Sequence, residues 1–228
     1  MTGFLLFLLL LLPAMVLHEV AHGTVAHWLG DDSAKNQGRL TLNPLKHIDP
    51  FGTIGLPLIL AAGQLATIGH VQFLYGWAKP VPVNAFKLQL NGYHNPRRLM
   101  AIVAFAGPAM NFLLALAAGF ALHGGAMVPY LMFFIEINLL IGIFNLIPLP
   151  PMDGGRVAVG ILPLPLAMRL ARAERLGIFL VLFVLFIMPV VMQQFGIRFD
   201  PFQDAIQVIL PYALRLVFAL TGNVVGNY

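Results

Sequence analysis

Between Phe4 and Val16 the chain reads FLLFLLLLLPAMV, a run with no charged and no polar side chain. The apolar stretch continues to about residue 29, and four more of comparable length follow at 98–122, 127–149, 176–193 and 203–221. A helix needs about 20 mostly apolar residues to cross a bilayer. In hydrocarbon every backbone N–H and C=O must be bonded internally, which a helix achieves and an open strand does not. The expectation is therefore an all-α integral membrane protein with five transmembrane helices. Only 10% of residues are charged, against about a quarter in soluble domains. No Lys or Arg precedes the first run and no small-x-small site follows it, so it is taken as a retained span rather than a cleaved signal.

A sixth apolar stretch, 51–74, is interrupted by Gly52, Gly55, Pro57, Gly63 and Gly69. After it, GWAKPVPVN (residues 76–84) alternates apolar residues with prolines, a pattern of an edge strand or extended loop. No repeat, low-complexity tract or linker divides the chain, which is expected to form one domain over 1–228. The absence of cysteine excludes disulfides and thiolate metal sites. A net charge of +4, scattered along the chain, gives no footing for nucleic acid. The partner it implies is the lipid bilayer.

The first span ends in LHEVAHG, residues 17–23. Residues four apart share a helix face, so His18 and His22 can both address one metal ion. Glu19, one position on, can reach water held by that ion. This is the HExxH arrangement, two imidazoles for zinc and a Glu as general base. A plain buried pair of histidines is the alternative. Yet an ionisable group at mid-membrane costs about 2.5–3.5 kcal/mol on insertion scales, and a metal offsets that cost by coordination.

Catalytic zinc usually has three protein ligands and one open position. Two acids are candidates for the third: Glu136, inside the 127–149 span, and Asp153, in NLIPLPPMDGGR (residues 145–156). Pro148, Pro150 and Pro151 stop the preceding helix and hold the chain extended, and Gly154 and Gly155 free the backbone beyond. Non-helical backbone at membrane depth survives where it is buried in protein or lines a wet cavity. Glu136 otherwise suits a proton relay or a polar contact inside the bundle. Among the remaining histidines, His27, His47, His94 and His123 suit loops and interfaces, and His70 could approach the cavity.

With these motifs in place the chain resembles the site-2 proteases, zinc metalloproteases that cut within the membrane. HEVAH matches their first motif. FAGPAMN (residues 105–111), with Gly107, Pro108 and Asn111, is similar to their G-P-x-x-N. NLIPLPPMDG is similar to their N-x-x-P…D-G, with Asn145 and Asp153 eight apart. The resemblance covers residues 5–160, and GWAKPVPVN looks like the short, compact branch without a PDZ domain. It implies one zinc per chain held by His18, His22 and Asp153, Glu19 as general base, and Asn145 as a donor near the scissile carbonyl.

Such a ligand set constrains topology. His22 lies near the C-terminal end of its helix and Asp153 beyond the C-terminal end of another, so the two helices must run in parallel. The stretch 51–74 must then return to the side it entered, as a re-entrant or interfacial hairpin. Five spans place 11 of the 13 Lys and Arg residues on one face, cytoplasmic by the positive-inside rule. The function expected is intramembrane proteolysis of transmembrane protein substrates, in a bacterial inner membrane, with the site open to the cytoplasm. An unwound substrate would pair with Lys79, Pro80, Val81, Pro82, Val83 and Asn84 by β-augmentation. The alternative is a non-proteolytic metal-binding protein or substrate-binding scaffold.

Overall fold

In a computed structural model, residues 2–69, 76–173, 177, 179, 181 and 183–223 are described, and these are helical without a β-sheet. Helix α1 (Thr2–Trp28) is followed by a short α2 (Ser33–Asn36) and by α3 (Leu56–Ile68). Then come α4 (Pro96–Ala121), α5 (Val128–Asn145), α6 (Asp153–Ile161), α7 (Leu164–Arg172), α8 (Met188–Gln194) and α9 (Pro201–Thr221). Among the described residues, four helices are long and apolar enough to cross a membrane: Leu6–Trp28, Pro96–Gly124, Val128–Asn145 and Gln203–Thr221. The expected span at 176–193 falls partly outside the described residues. Its described portion includes a π-helical turn, Phe183–Ile187, leading into α8.

Helix boundaries follow local chemistry. Asn95 accepts from the Arg98 N–H and Pro96 stands at the first helical position of α4, while Asp200 and Pro201 do the same for α9. Side-chain caps satisfy donors that the first turn leaves open, and proline there has no donor to lose. Gly222, at φ 74°, ends α9 in the left-handed conformation that favours glycine.

Helix α4 is the middle of the molecule, packed against α1, α5 and α6. Small residues permit this. A Cβ on Gly160 of α6 would collide with Ala101 of α4, the close approach that small side chains give to membrane helices. Arg97 reinforces the α4–α6 contact by donating to the carbonyls of Val159 (3.1 Å) and Leu162 (2.6 Å). One apolar cluster joins Ala115 and Ala118 of α4 to Ile135 and Leu139 of α5 and Val217 and Phe218 of α9. A second joins Ala26 of α1 to Leu99 and Val103 of α4, with Leu88 from the intervening loop.

The apolar stretch after residue 50 begins with a π-helical turn, Pro50–Gly55, and continues as α3. The chain leaving for α3 and the chain returning from it are joined. The Trp77 N–H donates to Gly52 O (3.1 Å), Thr53 Oγ1 to Trp77 O (2.8 Å), and the Lys79 N–H to His47 O (2.8 Å). Residues 70–74 of the expected hairpin, His70 among them, lie outside the described residues.

Residues 76–84, expected as an edge strand or an extended loop, form no strand. The N–H groups of the alternate residues Trp77, Lys79 and Val81 are all engaged. They end on loop carbonyls and on Glu19, and Pro80 and Pro82 have no N–H to offer. Asn84 closes the segment by donating its N–H to Asp31 Oδ2.

Asp31 is fully buried, and its Oδ1 accepts from both the Ser33 N–H (3.0 Å) and the Ser33 hydroxyl (2.6 Å). Burial pushes its carboxyl up, but the hydrogen bonds from Ser33 and Asn84 outweigh that and hold it below the ordinary carboxylate value. A lowered folded-state pKa stabilises the fold above the unfolded value of about 3.9 and loses that contribution as pH falls through the folded value. Asp31→Asn, which sets an amide against these donors, should destabilise the protein by about 1–3 kcal/mol at pH 7. Thermal unfolding in detergent should show the variant and wild type converging as pH drops below about 4.

Candidate metal centre

Helix α1 uses two faces near its C-terminal end. His18 and His22, four residues apart, face α4. Glu19 and Gly23, also four apart, face the extended segment. A Cβ on Gly23 would strike Val81 and Leu40 side chains, so glycine lets that segment lie against the helix. The Val81 N–H donates to Glu19 Oε2 at 3.0 Å.

Both imidazoles are oriented by α4 from behind. His18 Nδ1–H donates to Asn111 Oδ1 (2.6 Å) and His22 Nδ1–H to the Val103 carbonyl (2.8 Å). A proton on each Nδ1 leaves a lone pair on each Nε2, the form in which histidine binds metal. Those two nitrogens lie 3.1 Å apart, and Asp153 Oδ2 lies 3.1 Å from His18 Nε2 and 3.2 Å from His22 Nε2. Three acceptors thus converge in a nearly equilateral triangle with no donor among them. A single proton could join two of the three; a divalent cation meets all of them. Ligands at about 2.0–2.1 Å from tetrahedral zinc stand about 3.3 Å apart, close to these edges. His18, His22 and Asp153 are at most 9% exposed, so the set is shielded as well as convergent.

Asp153 arrives differently from the sequence expectation. It is not carried by unwound chain but opens α6, directly after the turn at residues 146–152 that contains the cis Pro150–Pro151 bond. Gly154 and Gly155 do not loosen the backbone; they admit a close approach. A Cβ on Gly154 would lie 2.5 Å from Ile147 O, and one on Gly155 would lie 2.5 Å from Pro150 N. Helix α6 can therefore begin hard against the preceding turn, which sets its first carboxylate on the histidines.

Gly107 has a comparable task on α4. A Cβ there would sit 2.6 Å from both Cε1 and Nε2 of His18 and still closer to His22 Nε2. Pro108 is buried beside it and Asn111 is fully buried one turn on, so the three residues marked by G-P-x-x-N all stand behind the triad. Asn145 donates to Ile141 O within its own helix (3.0 Å). Glu136 has no part in the triad. His27 pairs with Asp32 (2.6 Å) and His123 with Thr221 O (2.6 Å), neither at the centre.

Two contributors escaped the sequence reading. The Val103 carbonyl has no side-chain signature at all. Asn138 of α5, fully buried, accepts from Asn111 Nδ2 at 2.9 Å; its only signal was a polar amide in an apolar span. Gly107→Ala should weaken zinc binding by about 10–100-fold, the range for disturbed ligand orientation. Gly63→Ala, where a Cβ meets open space, should leave zinc content unchanged; metal analysis of both purified variants checks this.

Comparison with known proteins points to one family. The model of Peptidase family M50 matches residues 119–189, a stretch that contains Asn145 and Asp153. The chain is 40% identical over 192 residues to the provisionally named zinc metalloprotease YwhC of Bacillus subtilis, covering 78% of each protein. It is 31% identical over 195 residues to the similarly named Rip2 of Mycolicibacterium smegmatis, covering 78% of this chain and 65% of that one. Rip2 of Mycobacterium tuberculosis is 29% identical over 153 residues, 63% of this chain and 52% of its own. No solved structure matches at a comparable level. Because likeness to YwhC runs through more than three quarters of both chains, and the family's cofactor suits the donor triangle, this protein belongs to Peptidase family M50, the site-2 family of membrane zinc metalloproteases.

Proposed function

We propose that the protein is an intramembrane endopeptidase that hydrolyses peptide bonds within or next to transmembrane segments of other membrane proteins, as a single peptidase domain. The observation that carries this reading is the buried acceptor triangle with Glu19 one residue from His18. Zinc held by His18, His22 and Asp153 would supply Lewis acidity and make water nucleophilic at neutral pH. Glu19 Oε2 is tethered to the Val81 N–H, which leaves Oε1 to take a proton from that water and pass it to the departing amine. Asn145 spends one Nδ2 hydrogen on Ile141 O; the other is available to the scissile carbonyl, where a donor stabilises developing negative charge.

A transmembrane helix hides its carbonyls in its own hydrogen bonds, so a substrate must unwind to be cut. The segment from Lys79 to Asn84 is suited to hold it. Lys79, Val81 and Asn84 spend their N–H groups on His47 O, Glu19 and Asp31, and Pro80 and Pro82 have none, so the segment offers chiefly carbonyls to a partner. A substrate strand added there is gripped mainly through its own N–H donors.

The topology proposed is five spans with α3 returning to the side it left. The hydrogen bonds joining Gly52 to Trp77 and His47 to Lys79 support it, as does the 11-to-2 division of basic residues. That orientation opens the site to the cytoplasm of a bacterial inner membrane. A metal carrier would need further ligands along a path, and a non-cutting scaffold has no use for Glu19.

Glu19→Gln should keep its zinc and its fold while cleavage falls by about 10²–10⁴-fold. Proteomics of membranes from cells carrying wild type or this variant should reveal substrates that accumulate uncut; equal turnover of every membrane protein in the two would sink the protease reading. Topology is checked by single cysteines at Lys46 and Lys87, both exposed, in a chain without native cysteine. An impermeant thiol reagent should reach both from the cytoplasmic side alone, and labelling from opposite sides would contradict the hairpin.

A further inference from the structure

Asn138 lies midway along α5, inside an apolar span and apart from the recognised motifs. It is fully buried and both ends of its amide are engaged. Its Nδ2 donates to Phe134 O (2.8 Å) and its Oδ1 accepts from Asn111 Nδ2 (2.9 Å). Asn111, also fully buried, turns its second Nδ2 hydrogen toward Ala14 O (3.4 Å) and its Oδ1 toward His18 Nδ1 (2.6 Å).

The direction of this chain is forced from its far end. A backbone carbonyl can only accept, so Asn138 must turn its NH₂ to Phe134 O and its oxygen to Asn111. That oxygen also only accepts, so Asn111 must meet it with NH₂ and offer its own oxygen to His18. His18 must then carry its proton on Nδ1 and its lone pair on Nε2, the atom facing Asp153 and His22. Reversal of the Asn111 amide would set oxygen against oxygen at Asn138. It would also present NH₂ to His18 Nδ1, draw the lone pair there and leave a proton on Nε2 in the place of the metal.

We propose that Asn138 is a positioning residue that fixes the tautomer of His18 through Asn111 and thereby sets the zinc affinity of the centre. The proposal rests on His18 being a zinc ligand. It is specific to that ligand, because His22 is oriented independently by the Val103 carbonyl. Outer partners of metal-bound histidines typically change affinity by about 10–100-fold when removed.

The experiment is a zinc-affinity cycle on the purified full-length protein in detergent, by competition with a chromophoric chelator. Asn138→Leu should weaken zinc binding by about 10–100-fold. Asn138→Asp should recover most of the loss, because a buried carboxylic acid stays neutral and can donate to Phe134 O while accepting from Asn111. In an Asn111→Leu background Asn138→Leu should cost nothing more, the signature of action through a shared partner. Nitrogen NMR of the metal-free wild type should show His18 protonated on Nδ1. Wild-type affinity in Asn138→Leu, or an equal loss with Asn111 already replaced, overturns the proposal. If Asn138→Leu does not accumulate folded, the wild-type spectrum decides, and a proton on Nε2 overturns it. Full zinc retention in His18→Ala would instead remove the ligand assignment on which it rests.

Discussion

Three electron-pair donors, two imidazole nitrogens and one carboxylate oxygen, are held within 3.2 Å of one another in a shielded pocket. Left to themselves they would repel and turn away, since buried polar groups are costly without partners. Their convergence is maintained from outside. Asn111 and the Val103 carbonyl each take one Nδ1 proton, so neither ring can rotate without giving up a buried hydrogen bond. The energy that a metal returns on binding is thus partly invested in advance by α4, which holds the donors in the geometry they need.

That requirement explains why α4 is central and why its surface is small. The helix must come close to α1 to offer Asn111 and Val103, and Gly107 removes a side chain that would stand against both imidazoles. It must also come close to α6, whose first residue is Asp153, and there Gly160 against Ala101 achieves the same end. Arg97 clamps the far end of α6 to the start of α4. The elements that carry His18 and Asp153, 135 residues apart in sequence, are registered against one helix rather than against each other.

The remaining face of α1 meets the segment at residues 76–84 rather than α4. Two carboxylates, Glu19 and Asp31, hold the extended segment by the backbone N–H groups of Val81 and Asn84. Glu19, the proposed general base, and the segment proposed to receive an unwound substrate are therefore directly bonded. A displacement of one is felt by the other, which would tie the arrival of substrate to the orientation of the Glu19 carboxylate. The paired start and finish of the α3 excursion anchor the near end of the same segment at Gly52 and His47.

Much of this was legible in the chain because the signals are local. Uninterrupted apolar runs dictate membrane helices, since hydrocarbon admits little else, and the described residues include four long apolar helices. The spacing of His18, Glu19 and His22 fixes their faces on any helix. The association of Asp153 with them came from resemblance, and what delivers it was misjudged. Gly154 and Gly155 suggested a loose approach, whereas they permit a helix to start against a tight turn. A glycine records freedom in sequence; whether that freedom serves conformation or proximity depends on what lies opposite. The alternation in GWAKPVPVN announced extended backbone but not its partners, because hydrogen bonds to a carboxylate 62 residues away leave no periodic trace. Asn138 was silent for the same reason. One amide in an apolar helix has no meaning until packing sets it beside Asn111, and the direction of that contact, which decides where the His18 lone pair points, exists only in three dimensions.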